Sequence, residues 1–302
     1  MKRKAFGRDA GLTSRIVLTT FLLGLLYVVF AVVLFELLNA GLVLMIVIVG
    51  GLALVQYFTS DKLALRAAGA RVAGPDEEPE LHAMVDRLCA LSDLPKPRVA
   101  VMDNDMPNAF ATGRSPKHSA VAVTTGLMRR LDQREVEGVL AHELSHIGNR
   151  DVLIMTLAGF FAMVAGLLTR FAMYGGMFGG GRSRDNGPPV WLIVLAVSVV
   201  TYVISYLLIR ALSRYREFAA DRGAALITGA PENLMSALQK IAGDIARIPT
   251  KDLREVEAMN AFFILPTNVG ERIAGLFATH PPVEKRLERL AGIAREMGRL
   301  AA

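Results

Sequence analysis

The stretch of sequence that decides the fold is His142-Glu143-Leu144-Ser145-His146. Residues four apart lie on the same face of a helix, so His142 and His146 can bind one metal ion together. Glu143 projects about 100° round the helix from His142, where its carboxylate can take a proton from a metal-bound water. The spacing therefore predicts a helix that carries both the ligands and the base of a hydrolytic metal site.

The residues before this motif favour the start of a helix. Asp132 suits the N-cap position, and Glu135 three residues later gives a pattern close to a capping box. An apolar stripe follows, made by Val136, Leu140, Leu144 and Ile147. The stripe leaves His142 and His146 on the opposite face, as a metal site requires. The alternative interpretation is a surface helix with two incidental histidines.

The composition indicates a membrane protein. Of 302 residues, 53% are hydrophobic and the mean hydropathy is +0.40, which is more apolar than an ordinary soluble domain. The excess lies in residues 16–38, 41–58, 152–169 and 190–209. Each segment is near the ~20 residues that cross a bilayer, so we predict four transmembrane helices. For the third segment, a buried core helix is the alternative.

Basic residues around the first two apolar segments predict the orientation in the bilayer. They are Lys2, Arg3, Lys4, Arg8 and Arg15 before the first segment, and Lys62, Arg66 and Arg71 after the second. The link at Asn39-Ala40 carries none, so the positive-inside rule places the N-terminus and everything after Phe58 in the cytoplasm. These flanks also account for the net charge of +6. Because no recognition motif accompanies the charge, we expect no nucleic-acid partner.

The chain divides into four parts by composition. Residues 1–58 are expected to form an N-terminal transmembrane hairpin, and residues 152–209 a second one. The charged stretches 59–151 and 210–302 are expected to be the two halves of one cytoplasmic catalytic domain, with the metal helix in the first half. The first half also contains short β-rich runs, at 98–102 and 120–124, that predict a small sheet. The fold class is therefore mainly α.

Two histidines leave a tetrahedral zinc in need of a third protein ligand and an open position. Glu217 is the best candidate, with His280 as another. Glu217 and Asp221 are four apart, so one can bind the metal while the other accepts the outer N–H of a ligand histidine. The alternative is a solvated acidic face that Arg216 and Arg222 balance.

At this point the chain resembles the HtpX-type membrane zinc metalloproteases, which are related to the CAAX prenyl proteases. The resemblance covers nearly the whole chain. It depends on the 108–113 stretch (NAFATG), the 142–146 motif, the Glu217–Asp221 pair and the 280–282 run His-Pro-Pro. It implies a zincin-like (gluzincin) catalytic domain on four transmembrane helices. It also implies quality control of membrane proteins at the cytoplasmic (inner) membrane of a bacterium.

The resemblance further assigns roles to residues. It implies that His142, His146 and Glu217 ligate one Zn²⁺ per chain, and that Glu143 is the catalytic base. Zinc would lower the pKa of its bound water to about 7. Glu143 would remove the proton of this water and return it to the leaving amine. Arg286 also matches the family pattern and is expected to pair with an acid at the site.

The oxyanion of the reaction needs a second stabiliser besides the metal. His280 is the candidate for this role, ahead of Tyr215, since the two prolines that follow it fix the chain. The alternative is that the His-Pro-Pro run only starts the last helix.

The position of the site relative to the bilayer follows from two short distances along the sequence. His146 lies six residues before the third apolar segment, and Glu217 lies eight residues after the fourth. Both must reach one ion, so these segments begin and end on the same face of the membrane. Polar neighbours of the motif argue against a site within the hydrocarbon.

The substrate is expected to lie along Asn108, Ala109, Phe110 and Ala111. If this segment is an edge strand, it can bind an extended polypeptide through main-chain hydrogen bonds, which suits unfolded or membrane protein substrates. An ordinary sheet edge is the alternative. Two other functions are a prenyl-peptide protease, and a non-enzymatic membrane chaperone or transporter. Glu143 counts against the latter, because structural zinc sites are usually closed sets of four ligands.

Overall fold

The computed structural model describes residues 9–38, 42–178, 189–247 and 280–298. The first part of this chain contains α1 (Ala10–Leu38), α2 (Leu42–Ala67), β1 (Arg71–Val72), α3 (Pro79–Ser92), β2 (Arg98–Met102), β3 (Ala109–Ser115), β4 (His118–Thr124), α4 (Thr125–Arg130) and α5 (Gln133–Asn149). It continues with α6 (Asp151–Phe178), α7 (Val190–Thr228), α8 (Pro231–Arg247) and α9 (Val283–Glu296). The predicted mainly helical fold with a small sheet is confirmed.

The four strands form one sheet in the order β1-β2-β4-β3. β2 and β4 are parallel, whereas β3 runs antiparallel to β4 and lies at the edge. The hairpin between β3 and β4 requires a glycine at position 113. Gly113 has a φ of 134°, and a Cβ there would lie 2.3 Å from the carbonyl oxygen of His118. The hairpin thus holds β3 at the edge of the sheet.

The two faces of the sheet are covered by different parts of the chain. One face contributes Val99, Val101, Val121 and Val123 to the main core, which also contains the apolar side of α5. The other face packs against the end of α2, where Leu65 contacts a cluster that includes Ala100 and Phe110. Alternating side chains along each strand supply both faces. The sheet therefore joins α2 to the metal helix.

The helix α5 starts and packs as its sequence predicts. The Asp132 side chain accepts from the backbone N–H of Glu135 at 3.0 Å, and the Glu135 side chain accepts from that of Asp132 at 2.9 Å. Val136, Leu140, Leu144 and Ile147 are all buried. His142 on the opposite side is also only 1% exposed. The alternative of a surface helix with incidental histidines is therefore wrong.

The parts of the chain before and after the α6–α7 pair share one hydrophobic core. This core runs from Ala73 to Leu290 and includes residues of α5, α7, α8 and α9. The two parts approach closely at Gly138 on α5, where a Cβ would lie 2.8 Å from the backbone nitrogen of Leu234 on α8. Glu135 also accepts from Ser236 at 2.6 Å and Lys240 at 2.7 Å. The two charged halves are packed together.

Within the described chain, two helices are long and apolar enough to cross a membrane, over Ala10–Glu36 and Val190–Thr228. A third candidate is the bent pair of α5 with Asp151–Gly166, which turns by 64° at its break. The outer side of α1 is apolar and exposed, at Val17, Leu18, Phe21, Leu25 and Val28. These helices define a membrane protein. Four crossings stay a prediction.

α7 is one continuous helix, although the sequence suggested a boundary at 209/210. Its first part is the predicted apolar segment, and its last turns carry the buried polar residues Arg216, Glu217 and Asp221. On the apolar side, the Tyr27 hydroxyl of α1 donates to the carbonyl oxygen of Ala158 on α6 at 2.8 Å. A rigid helix therefore connects the apolar bundle of α1, α6 and α7 to the site.

Candidate metal centre

The centre forms where α5 passes the polar end of α7. The Nε2 atoms of His142 and His146 are 3.1 Å apart. The Glu217 carboxylate lies beside both, with Oε2 3.5 Å from Nε2 of His142 and Oε1 3.4 Å from Nε2 of His146. Ligands of a tetrahedral zinc with bonds of ~2.1 Å are separated by about 3.4 Å. The three side chains thus meet at the spacing of ligands around one cation.

Two further observations fit a metal. Ligand atoms of His142, His146 and Glu217 all lie within 4.8 Å of one another. Glu217 Oε2 is buried and accepts no hydrogen bond from the described residues, although Nη1 of Arg286 and Nδ1 of His280 each lie 3.3 Å from it. A buried carboxylate oxygen is costly unless a partner satisfies it, and a cation at this point would do so. Two histidines and a glutamate are also a common ligand set for catalytic zinc.

Each histidine is oriented by its own carboxylate. Nδ1 of His142 lies 3.0 Å from Oδ1 of Asp221, and Nδ1 of His146 lies 2.7 Å from Oδ2 of Asp151. When Nδ1–H donates to the carboxylate, the lone pair of Nε2 is left for a metal. Asp221 lies where the sequence predicts such a partner. Asp151 was not predicted.

Both carboxylates are in turn paired with a buried arginine. Nε and Nη2 of Arg286 donate to the two oxygens of Asp221, at 2.9 and 2.6 Å. Nη2 of Arg216 lies 2.7 Å from Oδ1 of Asp151. The prediction that Arg286 pairs with an acid is confirmed. The interpretation of Arg216 as part of a solvated face is wrong, since it is only 3% exposed.

The sequence did not predict the roles of Asp151 and Arg216, because the spacing of Asp151 from His146 does not indicate a contact between them. Residues five apart project about 140° from each other on a continuous helix, so Asp151 should point away from His146. The chain breaks between them at Arg150, which has a left-handed φ of 58°. The break turns Asp151 back toward the ring. A non-glycine residue with positive φ cannot be identified from a single sequence, although the end of the helical pattern was a usable signal.

The charges of the site favour a bound cation. Burial raises the pKa of Asp221, but the charge of Arg286 and the hydrogen bond from His142 lower it more, to below the usual 3.8. Burial also acts on Glu217, yet the neighbouring His280, His142 and His146 hold its pKa well below 4.5. Both carboxylates therefore stay ionised at neutral pH, and their two negative charges face one buried arginine, Arg286, which contacts both of them.

Glu143 occupies a different environment from the other acids. It is 5% exposed, and its carboxylate accepts the backbone N–H of Ala111 on the edge strand. Burial raises its pKa above 4.5, against the lowering effect of His142 and His146. A raised pKa suits a carboxylate that must accept a proton near neutral pH. This hydrogen bond connects Glu143 to the edge strand β3.

The other predicted substrate residues are less exposed to the site. Asn108 is buried, and its carbonyl oxygen accepts the N–H of Thr124 at 2.9 Å. Ala109 belongs to the main core, and the ring of Phe110 packs in the cluster with Leu65. Of the four side chains, only that of Ala111 is partly exposed. Any substrate contact of this segment therefore uses the main chain.

His280 lies at the centre, where the sequence suggested it. Its Nδ1 is 3.3 Å from Oε2 of Glu217. The two prolines lead directly into α9, which begins at Val283, so the His-Pro-Pro run also starts the last helix. Tyr215, the other candidate, has its ring centroid 6.0 Å from the guanidinium carbon of Arg15. This contact places Tyr215 beside α1.

The fold and the donor set together define a metalloprotease class, and comparison with known proteins agrees. A model of Peptidase family M48 matches residues 75–294. The chain belongs to this family, and it is a membrane metalloprotease. Membership implies a metal, typically zinc, and the cluster of His142, His146 and Glu217 could bind it.

The similar proteins extend over the whole chain. A "Protease HtpX homolog" of Moorella thermoacetica is 54% identical over 298 residues, which is 98% of both chains. "Protease HtpX homolog 1" of Streptomyces coelicolor is 53% identical, over 98% of this chain and 97% of that one. The expected resemblance to the HtpX-type proteases is confirmed. The crystal structure of S. mikatae Ste24p shares the fold, with a TM-score of 0.54 and 17% identity over 93% of this chain and 67% of that chain.

Proposed function

We propose that the protein is a zinc-dependent endopeptidase that hydrolyses misfolded or damaged membrane proteins. His142, His146 and Glu217 hold one Zn²⁺ per chain, and Glu143 is the general base. The observation that carries this proposal is the meeting of three ligand atoms, from the buried His142 and Glu217 and the partly exposed His146, within 4.8 Å, one residue along α5 from an unliganded carboxylate. A purely structural zinc would not need that carboxylate.

The chemistry divides between the metal and the chain. Zinc bound here would polarise the scissile carbonyl and lower the pKa of water. Glu143 accepts the proton of the attacking water and gives it to the leaving amine. The N–H of Ala111 holds the Glu143 carboxylate in place. His280, close to the ligand carboxylate, donates a hydrogen bond to the developing oxyanion.

The substrate backbone lies along the outer edge of β3. Asn108 bonds to Thr124 of β4 through the main chain, and Ala109 and Ala111 are opposite Val123 and Val121. In an antiparallel pair the bonded positions alternate, so the N–H and C=O groups of Ala109 and Ala111 point away from β4. The N–H of Ala111 binds Glu143, so the substrate would pair with the N–H and C=O of Ala109 and the C=O of Ala111. An extended segment can pair there whatever its side chains, which suits unfolded substrates of many sequences.

The site faces the cytoplasm, at the inner membrane of a bacterium. The basic flanks of the first two apolar segments support this orientation. The four apolar segments cross the bilayer as two hairpins on a gluzincin-type catalytic domain. A thiol reagent that cannot cross the membrane tests this in intact cells, with cysteines at Ser60 and Ser183 in a Cys89→Ser background. Labelling at Ser183 alone is expected, and labelling at Ser60 would contradict the orientation.

A prenyl-peptide protease is the second candidate, because such enzymes share the zinc core and because one solved structure that shares the fold is that of Ste24p. The chain spans 67% of that protein, and its four apolar segments are too few for an enclosed chamber. A peptide assayed with and without its prenyl group separates the two functions. We expect cleavage of both forms at similar rates. A requirement for the prenyl group would instead favour the second candidate.

Glu143→Gln tests the proposed mechanism directly. The variant keeps the size of the side chain and the metal ligands, so it should retain zinc while proteolysis of casein falls by about 10²–10⁴-fold. Glu137→Gln is the matched control, since it makes the same change on the same helix at a residue that pairs with Arg87. A Glu143→Gln protein that degrades casein at the wild-type rate would overturn the mechanism.

A further inference from the structure

The second ligand histidine has a support that the family motifs do not reveal. We propose that Asp151 and Arg216 are positioning residues for His146. Asp151 fixes the ring and tautomer of His146, and Arg216 acts through Asp151. This rests on the proposed function, because it takes His146 as a metal ligand. It assigns to two residues outside the metal motifs an effect on metal affinity that is transmitted through His146.

The geometry forms a continuous chain of contacts. Nδ1 of His146 lies 2.7 Å from Oδ2 of Asp151, and the other carboxylate oxygen lies 2.7 Å from Nη2 of Arg216. Asp151 is 6% exposed and Arg216 is 3% exposed. Charge-assisted contacts of this length between buried groups are short and strong. The Asp151 carboxylate is therefore fixed from both sides, and it holds the N–H of His146.

Among the described residues Arg216 makes one ion pair, although the charge of the neighbouring Glu217 also favours its charged form. Its ion pair with Asp151 is the one found for it in this part of the chain; this contact lacks hydrogen-bond geometry, and none of its three side-chain nitrogens makes a hydrogen bond there. A cavity of about 240 Å³ borders it on the side of α1, next to Leu12 and Ile16. A buried arginine with a single carboxylate partner is costly. Its pairing is best explained by what Asp151 does.

The same contacts connect the centre to the apolar helices. Asp151 is the first residue of α6, and Arg216 lies on α7 beyond its apolar part. A hydrogen bond between His146, a proposed metal ligand, and Asp151 therefore spans the 64° bend between α5 and α6. The opposing interpretation is that Asp151 and Arg216 only tie α6 to α7. The two interpretations differ in whether the pair affects the metal.

The test measures zinc affinity of the full-length protein by competition with a chelator, and the absorption spectrum of the Co²⁺-substituted protein. Asp151→Asn should weaken zinc binding by about 10–100-fold and change the Co²⁺ spectrum. Asp61→Asn is the matched control. Asp61 is also buried and lies 2.8 Å from an arginine, Arg98, but it joins α2 to β2. The control should leave both measurements unchanged.

A double-mutant cycle tests whether Arg216 acts through Asp151. Arg216→Met should weaken zinc binding on its own and have no further effect in the Asp151→Asn background. The double variant also leaves no unpaired buried charge, so it carries the test even if Asp151→Asn alone does not fold. Wild-type affinity and spectrum in the double variant would overturn the proposal, and a further loss from Arg216→Met would overturn the role of Arg216. A wild-type protein without zinc binding would contradict the proposed function instead.

Discussion

Each of the two ligand histidines belongs to a series of three residues: the histidine, a carboxylate that orients it and an arginine that pairs with the carboxylate. The two series differ in how deeply they are buried and in which helices supply them. One series is His142, Asp221 and Arg286, and the other is His146, Asp151 and Arg216. In the first, the arginine is fully buried and bonds both oxygens of its carboxylate. In the second, the arginine meets one oxygen, the histidine side chain is 15% exposed, and a cavity lies alongside.

The difference shows how the centre is divided between the two parts of the molecule. The His142 series gathers residues from α5, α7 and α9, so it is closed by the last described helix. The His146 series gathers residues from α5, α6 and α7, so it depends on the packing of the apolar helices. We infer that the first series supplies most of the rigidity of the centre. In the second series, the position of His146 depends more on how α6 and α7 pack.

The largest effect is expected from Arg286→Met. Arg286 is 0% exposed and pairs with Asp221, which is 1% exposed. Removal of one partner of a buried pair leaves an uncompensated charge, which costs about 3–5 kcal/mol of the free energy of unfolding. Chemical denaturation in detergent measures this, with Arg289→Met on the exposed side of α9 as the control. If the two variants were equally stable, the Arg286–Asp221 pair would not stabilise the fold, which would contradict the inferred rigidity of the His142 series.

The next effect is on metal affinity. Asp221→Asn and Asp151→Asn each remove a carboxylate that orients a ligand, and such changes typically cost 10–100-fold. Because Asp221 is held by two hydrogen bonds and Asp151 by one ion pair, we expect the greater loss for Asp221→Asn. Chelator competition on both variants gives the order. The reverse order would break the comparison between the two series.

The smallest effect is expected at Glu135, which lies on α5 outside both series. Burial raises its pKa, but hydrogen bonds from Lys240 and Ser236 lower it further, to below 4.5. A lowered folded pKa means that the pair stabilises the fold above that value and that the contribution is lost as the pH falls through the folded pKa. Glu135→Gln keeps the cap.

Thermal unfolding of wild type and Glu135→Gln between pH 3 and 7 checks this. The variant should be slightly less stable at neutral pH, and the difference should vanish at the acid end. A difference that grows as the pH falls would contradict the assignment. The effect is small because the Lys240 side chain is about half-exposed, so solvent screens the pair.

Much of the centre could be predicted from the sequence, because its parts have local signatures. The 142–146 motif, the cap at Asp132 and the Glu217–Asp221 spacing each define one face of one helix. Arg286 could be placed at the site only by resemblance to the family. Asp151 could not be placed at all, since its position depends on the backbone of Arg150. Arg150 is a non-glycine residue with a left-handed φ, which a single sequence does not reveal.

The sheet was predicted only in part, because its strands have local signatures and their order does not. Alternation favours strands at 98–102 and 120–124, and both are present. The order of the strands depends on long-range pairing that no local pattern specifies. The exposure of Ala111 and the burial of Phe110 follow from which face of β3 meets α2. The sequence suggested the edge strand only as a hypothesis for substrate binding.

The central claim is that His142, His146 and Glu217 hold one zinc while Glu143 does not. The zinc content of the purified wild-type, Glu143→Gln and Glu217→Ala proteins tests it most directly. We predict about one zinc per chain in the wild type and in Glu143→Gln, because a base that is not a ligand leaves the binding set intact. Glu217→Ala should contain much less. Full zinc in Glu217→Ala, or its loss from Glu143→Gln, would contradict the assignment.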